Sequence, residues 1–281
     1  MILQYLGTAA AEAIPAVFCE CAVCKASREA GGKSIRGRSG ALIDGELMID
    51  FPPDIYFQSL RLSLNLPKVR ALIVTHAHLD HFASAELMMR DEVCYCHLQN
   101  ENKGTALAVY GNETVGKLLS NAVKSEFSEE KRDFVRFERV APFVPMQILS
   151  YTVTALPARH SQNETPFIYL VQKEGKSLLY AHDTGDLFEE NYEYLKNLGV
   201  HLDLVSYDCT NFMNREGYSH MGIPNILEVR ERLKQNGNLD EKTVEIVNHF
   251  SHNCADVHER MEEQAAPFGL KVSYDGMKVE I

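Results

Sequence analysis

The run VTHAHLDHF, residues 74–82, places His76, His78, Asp80 and His81 within six consecutive positions. Imidazole nitrogen and carboxylate oxygen are donors for Zn²⁺, Mn²⁺ and Fe²⁺. The apolar RALIV before Thr75 reads as a buried strand that delivers these side chains at its C-terminal edge. Alternate residues of a strand face the same side, so His76 and His78 can share one ion. Asp80 and His81, past the strand, can reach a second. One such run leaves each ion short of donors, and more stand downstream. His160 follows YTVTALPAR, Asp183 follows SLLYAH and His249 follows TVEIVN, each just past a β-like run. An α/β sheet gathers its site at strand ends of this kind. Any one of these residues alone reads as a cap or a core-edge side chain. Seven donors at four strand exits read as a centre for two metal ions.

A second group lies in FCECAVC, where Cys19, Cys21 and Cys24 form a C-x-C-x-x-C spacing. Three thiolates this close favour zinc in a closed tetrahedron, which requires a fourth donor. NHFSHNC offers two candidates, His252 and Cys254. The chain has 7 cysteines, an odd number. MILQYLGTAAAEAIPAVF lacks a basic segment ahead of its apolar stretch and carries Glu12 within it, so it is expected to be a strand and loop, not a leader peptide. Both features fit a reducing cytoplasm better than a disulfide framework.

The elements that must position these groups show as strand-like runs at 2–6, 40–50, 70–75, 151–156, 167–172, 177–182, 202–208 and 243–248, and over the terminal LKVSYDGMKVEI. Asp44-Gly45 and Asp275-Gly276 stand between apolar alternations, the signal of tight hairpins. Helical periodicity covers roughly 53–62, 82–90, 112–124, 187–198, 224–236 and 255–265. HLQNENKGT (97–105) reads as a mobile surface loop and KSEFSEEKRD (124–133) as a solvated face or helix end. No Pro/Gly/Ser linker divides the chain and no repeat is visible, so residues 1–281 are expected to form one domain with helices on sheets and sheet on sheet.

Of 281 residues, 45% are hydrophobic and 24% charged, enough for a sizeable core, and the net charge is −11. That balance argues against a grip on long nucleic acid, which needs a basic footprint. A small phosphate ester at a metal is still accommodated, because bound cations dominate the local field. No apolar run approaches the length of a membrane span. A homodimer is compatible with all of this.

On its His-x-His-x-Asp-His run and the donors downstream, the chain resembles the metallo-β-lactamase superfamily over nearly its whole length, from YLGTA to YDGMKVEI. The resemblance implies an αββα four-layer sandwich with a dinuclear centre. His76, His78 and His160 would hold the first ion, Asp80, His81 and His249 the second, and Asp183 would bridge them. An aspartate at 183, where zinc β-lactamases carry a cysteine, looks like the phosphoesterase branch. With the C-x-C-x-x-C triplet, the chain is most similar to the PhnP-type phosphodiesterases, which act on cyclic ribose phosphates. There the triplet is completed by a histidine three residues after the last active-site histidine, here His252 and not Cys254. That structural zinc would tie the N-terminal loop to the rim of the site. The family's late-loop general acid or base matches His220 in REGYSHMGIPN.

What the resemblance implies is hydrolysis of a small or cyclic, ribose- or nucleotide-type phosphodiester by water activated between two divalent ions, zinc or manganese or iron. Asp80 and Asp183 would orient the ions and the nucleophile, and His220 would protonate the leaving oxygen. Two relatives are alternatives. A tRNA 3′-processing nuclease would want a basic exosite arm, and neither a basic nor a glycine-rich insertion is seen. A PqqB-like cofactor-biosynthesis protein shares the cysteine triplet and the fold but would use iron oxidatively, and the full ligand set with His220 speaks against it. The chain departs from the pattern in GTAAAEAIP, which keeps Gly7 alone where the family loop is glycine-rich, and in 91–140, which matches little. His182 is expected to pack on the far side of its strand. His97, His201 and His258 are assigned no role.

Overall fold

The computed structural model describes residues 1–127 and 133–281, so the charged run expected over 124–133 falls partly outside the described residues. In chain order the strands are β1 (Ile2–Gly7), β2 (Gly40–Ile43), β3 (Leu47–Ile49), β4 (Ala71–Ile73), β5 (Leu107–Gly111), β6 (Val135–Arg139) and β7 (Met146–Ile148). They continue with β8 (Tyr151–Pro157), β9 (Phe167–Lys173), β10 (Lys176–Ala181), β11 (Leu204–Asp208), β12 (Val244–Asn248), β13 (Lys271–Val272) and β14 (Lys278–Glu280). They form two seven-stranded sheets, one ordered β14-β1-β2-β3-β4-β5-β6 and the other β13-β12-β11-β10-β9-β8-β7. The helices are α1 (Ala22–Ala30), α2 (Ile55–Arg61), α3 (Glu113–Phe127), α4 (Glu189–Leu198), α5 (Ile223–Gln235) and α6 (His258–Ala265).

The two-residue period of the strands sorts their side chains into layers. Leu3, Tyr5, Ile43, Ile49 and Ile73 of the first sheet meet Val153, Tyr169, Leu178, Leu204 and Ile246 of the second in one buried core. Their neighbours in sequence face outward. Leu42, Met48 and Leu72 pack under Val115 and Leu119 of α3. Val205, Tyr207 and Val247 pack under α4, α5 and α6 through Leu195, Ile226 and Met261. Each fully buried aliphatic side chain contributes about 1.5–3 kcal/mol relative to exposure. Strands carrying apolar residues on both faces thus require helices outside both sheets, and the result is the expected αββα sandwich.

Strand direction fixes where the loops gather. β3, β4 and β5 are parallel, as are β10, β11 and β12. β8 is antiparallel to β9, which is antiparallel to β10, so β8 runs with β10. The chain therefore leaves β8, β10, β11 and β12 at one edge of the second sheet, and the loop after β4 meets that edge.

The Asp44-Gly45 hairpin forms between antiparallel β2 and β3. The one expected at Asp275-Gly276 does not. β13 pairs with β12 in the second sheet and β14 with β1 in the first, so the turn carries the chain between sheets. Asp275 spends its carboxylate on Thr8 and on the Gly37 N–H instead of on a local turn. The expected helix at 82–90 is a 3₁₀ segment, Ser84–Arg90. The features not expected include α1, whose first turn is capped by the Cys21 thiol accepting from the Cys24 N–H; the buried interior strand β5, in a stretch that the sequence reading left without a strand; the half-exposed edge strand β6; and the three-residue β7. The 97–105 loop is tied down by Asn100 and Asn102, which both donate to the Pro67 carbonyl.

Candidate metal centre and active site

The loop after β4 is held from two sides. Asp50, one residue past β3, accepts the Thr75 N–H at 2.8 Å, the Thr75 hydroxyl at 2.9 Å and the His81 Nδ1–H at 2.7 Å. From the other side Glu164 accepts the Ala77 N–H at 3.0 Å and is itself held by Asn112 Nδ2 at 2.7 Å. Between these anchors the His81 and Phe82 N–H groups donate to the His78 carbonyl, a tight turn that brings Asp80 and His81 back beside His76.

The hydrogen bonds also decide which ring nitrogens face inward. The Thr75 hydroxyl, donating to Asp50, accepts from His76 Nδ1 at 3.1 Å. The Thr210 hydroxyl accepts from His249 Nδ1 at 2.8 Å, and the Ser219 carbonyl from His160 Nδ1 at 3.3 Å. With Nδ1 protonated in each, Nε2 of His76, His81, His160 and His249 is left as an unprotonated donor, the arrangement by which oxygen partners orient metal-ligating histidines. His76 Nε2, His81 Nε2, His249 Nε2 and Asp183 Oδ2 are buried with no hydrogen-bond partner. Buried polar atoms are otherwise nearly always satisfied. Four orphans aimed at one space fit a cation.

Asp183 stands at the centre. Its Oδ1 lies 3.8 Å from His160 Nε2. Its Oδ2 lies 3.8 Å from His76 Nε2, 3.1 Å from His249 Nε2 and in close contact with His81 Nε2. His78 Nδ1 is 3.2 Å from His160 Nε2. Three overlapping groups able to hold an ion result, His76–His78–His160, Asp80–His81–Asp183–His249 and Asp183–Asp208–His220–His249. Asp50, Asp183 and His249 all have positive φ, near 62°, 49° and 64°. For non-glycine residues that conformation costs roughly 1–2 kcal/mol each, and the surrounding hydrogen bonds offset it.

Behind this centre sits Asp208, fully buried at the end of β11. It accepts the Asp183 N–H at 3.0 Å, the Met221 N–H at 2.8 Å and the Thr210 N–H at 3.1 Å. His220 Nδ1 lies 3.1 Å from its Oδ2. Burial pulls the His220 pKa down, but the Asp208 carboxylate outweighs it and holds the imidazolium to about 9.

At the N-terminal loop, Cys21 Sγ and Cys19 Sγ lie 3.5 and 3.6 Å from His252 Nδ1, and Cys24 completes a group able to hold an ion. Cys254 is not in it. The hydrogen bond to His252 and the Cys24 N–H bring the Cys21 thiol down to about 6, whereas burial raises Cys24 to about 11. The group lies beside the active site because the Thr8–Ala10 backbone pairs with Phe250, the residue after His249. Gly7 is required there: a Cβ would sit 1.9 Å from the Arg38 carbonyl oxygen.

All seven residues expected at the centre are thus brought together, His220 beside them, and His252 joins the three cysteines. His182 is buried between the sheets, 2.7 Å from Ser206 Oγ through Nε2, while Nδ1 accepts from Asn248. Asp50, Glu164, Asp208 and Thr210 were not anticipated. Asp50 and Asp208 carry the signal that marked Asp183: an acidic residue where an apolar run ends, in LMID and LVSYD.

A family model described as the beta-lactamase superfamily domain matches residues 46–242, more than two thirds of the chain. Comparison with curated proteins by sequence returns no match. Among solved structures, a diphosphatase from the PhnP family is similar with a TM-score of 0.75 and 24% identity, over 100% of this chain and 97% of that one. Zn²⁺-bound PqqB from Methylobacterium extorquens gives 0.74 and 17%, covering 100% of both chains. The short form of human tRNase Z gives 0.66 and 15%, over 100% of this chain and 99% of that one. Identities this low speak for the fold. Together with the family match and the His/Asp clusters they establish that this chain belongs to the beta-lactamase superfamily, with the hydrolase fold and the metal-binding residue types of that family.

Proposed function

We propose that the protein is a dinuclear metal-dependent phosphodiesterase acting on small or cyclic ribose- or nucleotide-type diesters. The observation that carries this is the convergence of buried His76 Nε2, His81 Nε2, His249 Nε2 and Asp183 Oδ2 on one space, none of them satisfied by a hydrogen bond and the three nitrogens all within reach of the Asp183 oxygen. His76, His78 and His160 would hold one divalent ion, Asp80, His81 and His249 the other, and Asp183, whose carboxylate faces His76 and His160 as well as His81 and His249, would join them. An all-N/O donor set suits zinc, manganese or iron. When bound, such ions supply Lewis acidity and lower the pKa of water.

The chain's own residues do the rest. Asp50, Thr75 and Thr210 fix the imidazole tautomers, and Asp208 fixes His220. With Nδ1 facing Asp208 and the side chain 23% exposed, Nε2 is the nitrogen His220 has left for a leaving oxygen. General acid help of this kind contributes about 10²–10⁴-fold. The Cys19–Cys21–Cys24–His252 group supports a structural zinc that steadies the loop beside His249. The similarity to a PhnP-family diphosphatase supports phosphorus–oxygen chemistry, and the net charge of −11 favours a small substrate over precursor tRNA.

The test is metal analysis of the purified protein with hydrolysis assays on a phosphodiester panel, a β-lactam and a precursor tRNA. The expected result is turnover of small diesters that is lost in H76A with its metal, and falls about 10²-fold or more in H220A with metal retained. A fully metallated protein inert toward every phosphodiester would overturn the proposal.

A further inference from the structure

The loop that carries His220 also carries Tyr218, an aromatic side chain 58% exposed two residues from the candidate acid. Its hydroxyl accepts a hydrogen bond from Gln162 Nε2, and Gln162 lies two residues past His160. That bond links the His220 loop to the segment after His160, and the rings of these two histidines have centroids 5.0 Å apart. The backbone beneath it is fixed as well. The Asp186 N–H donates to the Gly217 carbonyl at 3.1 Å, and Asn225 Nδ2 donates to the Glu216 carbonyl. Gly185 lies so close under the loop that a Cβ there would sit 2.5 Å from the Tyr218 carbonyl oxygen. Tyr218 is therefore not a freely moving loop tip. Its edge is held through the hydroxyl while more than half the side chain stays open to solvent. Leu79, between His78 and Asp80, is another exposed apolar side chain of the loops that carry the donors, 73% exposed.

We propose that Tyr218 is the stacking platform of a subsite for a planar ring, so that the diester this site prefers carries a nucleobase on its ribose. The inference rests on the phosphodiesterase reading for the position of the phosphate. With the phosphate beside His78, His160 and Asp183, the next group of the ligand would reach the Gln162–Tyr218 pair, which joins the segments that carry His160 and His220. A fixed aromatic face rewards a planar ring there and offers little to a bare sugar. Stacking of a base on an aromatic side chain is worth about 1–3 kcal/mol and tolerates any base. That corresponds to about a 5- to 150-fold difference in dissociation constant.

The experiment compares dissociation constants of adenosine 5′-monophosphate, uridine 5′-monophosphate and ribose 5-phosphate for the metallated protein by calorimetry. Both nucleotides are expected to bind about 5- to 150-fold more tightly than the bare sugar phosphate. Y218F keeps most of that ratio because the ring remains. Y218A and Y218L, alike lacking a planar face, bring it to about one. Equal affinities in the wild type, or an intact preference in Y218A, overturn the subsite. The phosphodiester assay separates the two readings. Hydrolysis without nucleotide preference refutes the subsite alone. Nucleotide preference lost in Y218A, in a protein that cleaves no diester, supports the subsite and refutes the activity.

Discussion

Four imidazoles at this site have Nδ1 bound to oxygen and Nε2 turned inward, and two carboxylates do most of the turning. Asp50 holds His81 directly and His76 through Thr75. Asp208 holds His220 directly and backs His249 through Thr210, whose hydroxyl also reaches Asp208. The charge on Asp208 should therefore matter more than its shape. In D208N one oxygen remains to accept the Met221 and Thr210 N–H groups, but the anion facing His220 Nδ1 is gone. The expected outcome is kcat on a small phosphodiester reduced by about 10²-fold with KM little changed. Metal analysis of the same variant should still find the wild-type complement, since none of the seven donors of the centre is altered. Loss of metal in D208N would make Asp208 a ligand, and an unchanged kcat would remove it from the mechanism. At this scale the donors were legible in the sequence because they are rare residue types at strand ends. Their supports were not. Glu164 reaches Ala77 from 87 positions away, and nothing local marks such a contact.

The elements explain why separate loops act as one site. Parallel β10, β11 and β12 release Asp183, Asp208 and His249 at one sheet edge, and the 158–161, 183–186 and 211–222 segments are then stitched together. The Gly185 N–H donates to the Arg159 carbonyl, the Asp186 N–H to the Gly217 carbonyl and the Arg159 N–H to the Thr184 hydroxyl. Gly185 is the tightest point. A Cβ there would lie 2.2 Å from the Gly217 carbonyl oxygen, a contact with backbone that no side-chain rotation relieves. G185A should push the 217–220 loop outward and cost about 1–3 kcal/mol of stability, as overpacking does. Denaturant unfolding measures that cost. Assays should show a larger loss for substrates that need His220 to protonate a poor leaving group than for those with a good one. An equal loss on both would mean the loop position is not coupled to proton transfer. Runs of apolar residues in the sequence marked most of the central strands because each buries two faces. They failed for β5, whose five residues LAVYG are only a short apolar run, and for β6 and β7, one a half-exposed edge and the other three residues long. The second Asp-Gly failed as a hairpin signal because its carboxylate answers to Thr8 and Gly37, far off in sequence.

Over the whole molecule the two chain ends close on each other through a buried cation. Arg36, 1% exposed, donates to the Thr8 hydroxyl at 2.9 Å and to the Ser273 carbonyl at 2.6 Å, and its guanidinium lies over Phe250. Its Nη2 lies 3.0 Å from His258 Nδ1 at the start of α6. A guanidinium can donate but not accept, so His258 Nδ1 must accept and the ring must be neutral, with Nε2–H toward Glu262 at 3.1 Å. Burial and then the Arg36 charge hold the His258 pKa below its ordinary 6.5, with Lys33 adding to them and Glu262 opposing. The ring of Tyr274 is the remaining close neighbour. An unfolded chain takes up a proton at this histidine near pH 6.5, whereas the folded chain does so only at lower pH. Between those values the unfolded state binds more protons, so the contribution is fully present above 6.5 and is lost as pH falls toward the folded pKa. One proton sets a limiting slope of about 1.4 kcal/mol per pH unit. H258N keeps an acceptor for Arg36 but cannot titrate. Urea unfolding at pH 7.5 and 5.5 should therefore show the wild type losing more stability on acidification than H258N does. Equal losses in the two proteins would mean that His258 is already protonated in the fold and that Arg36 is held by other groups.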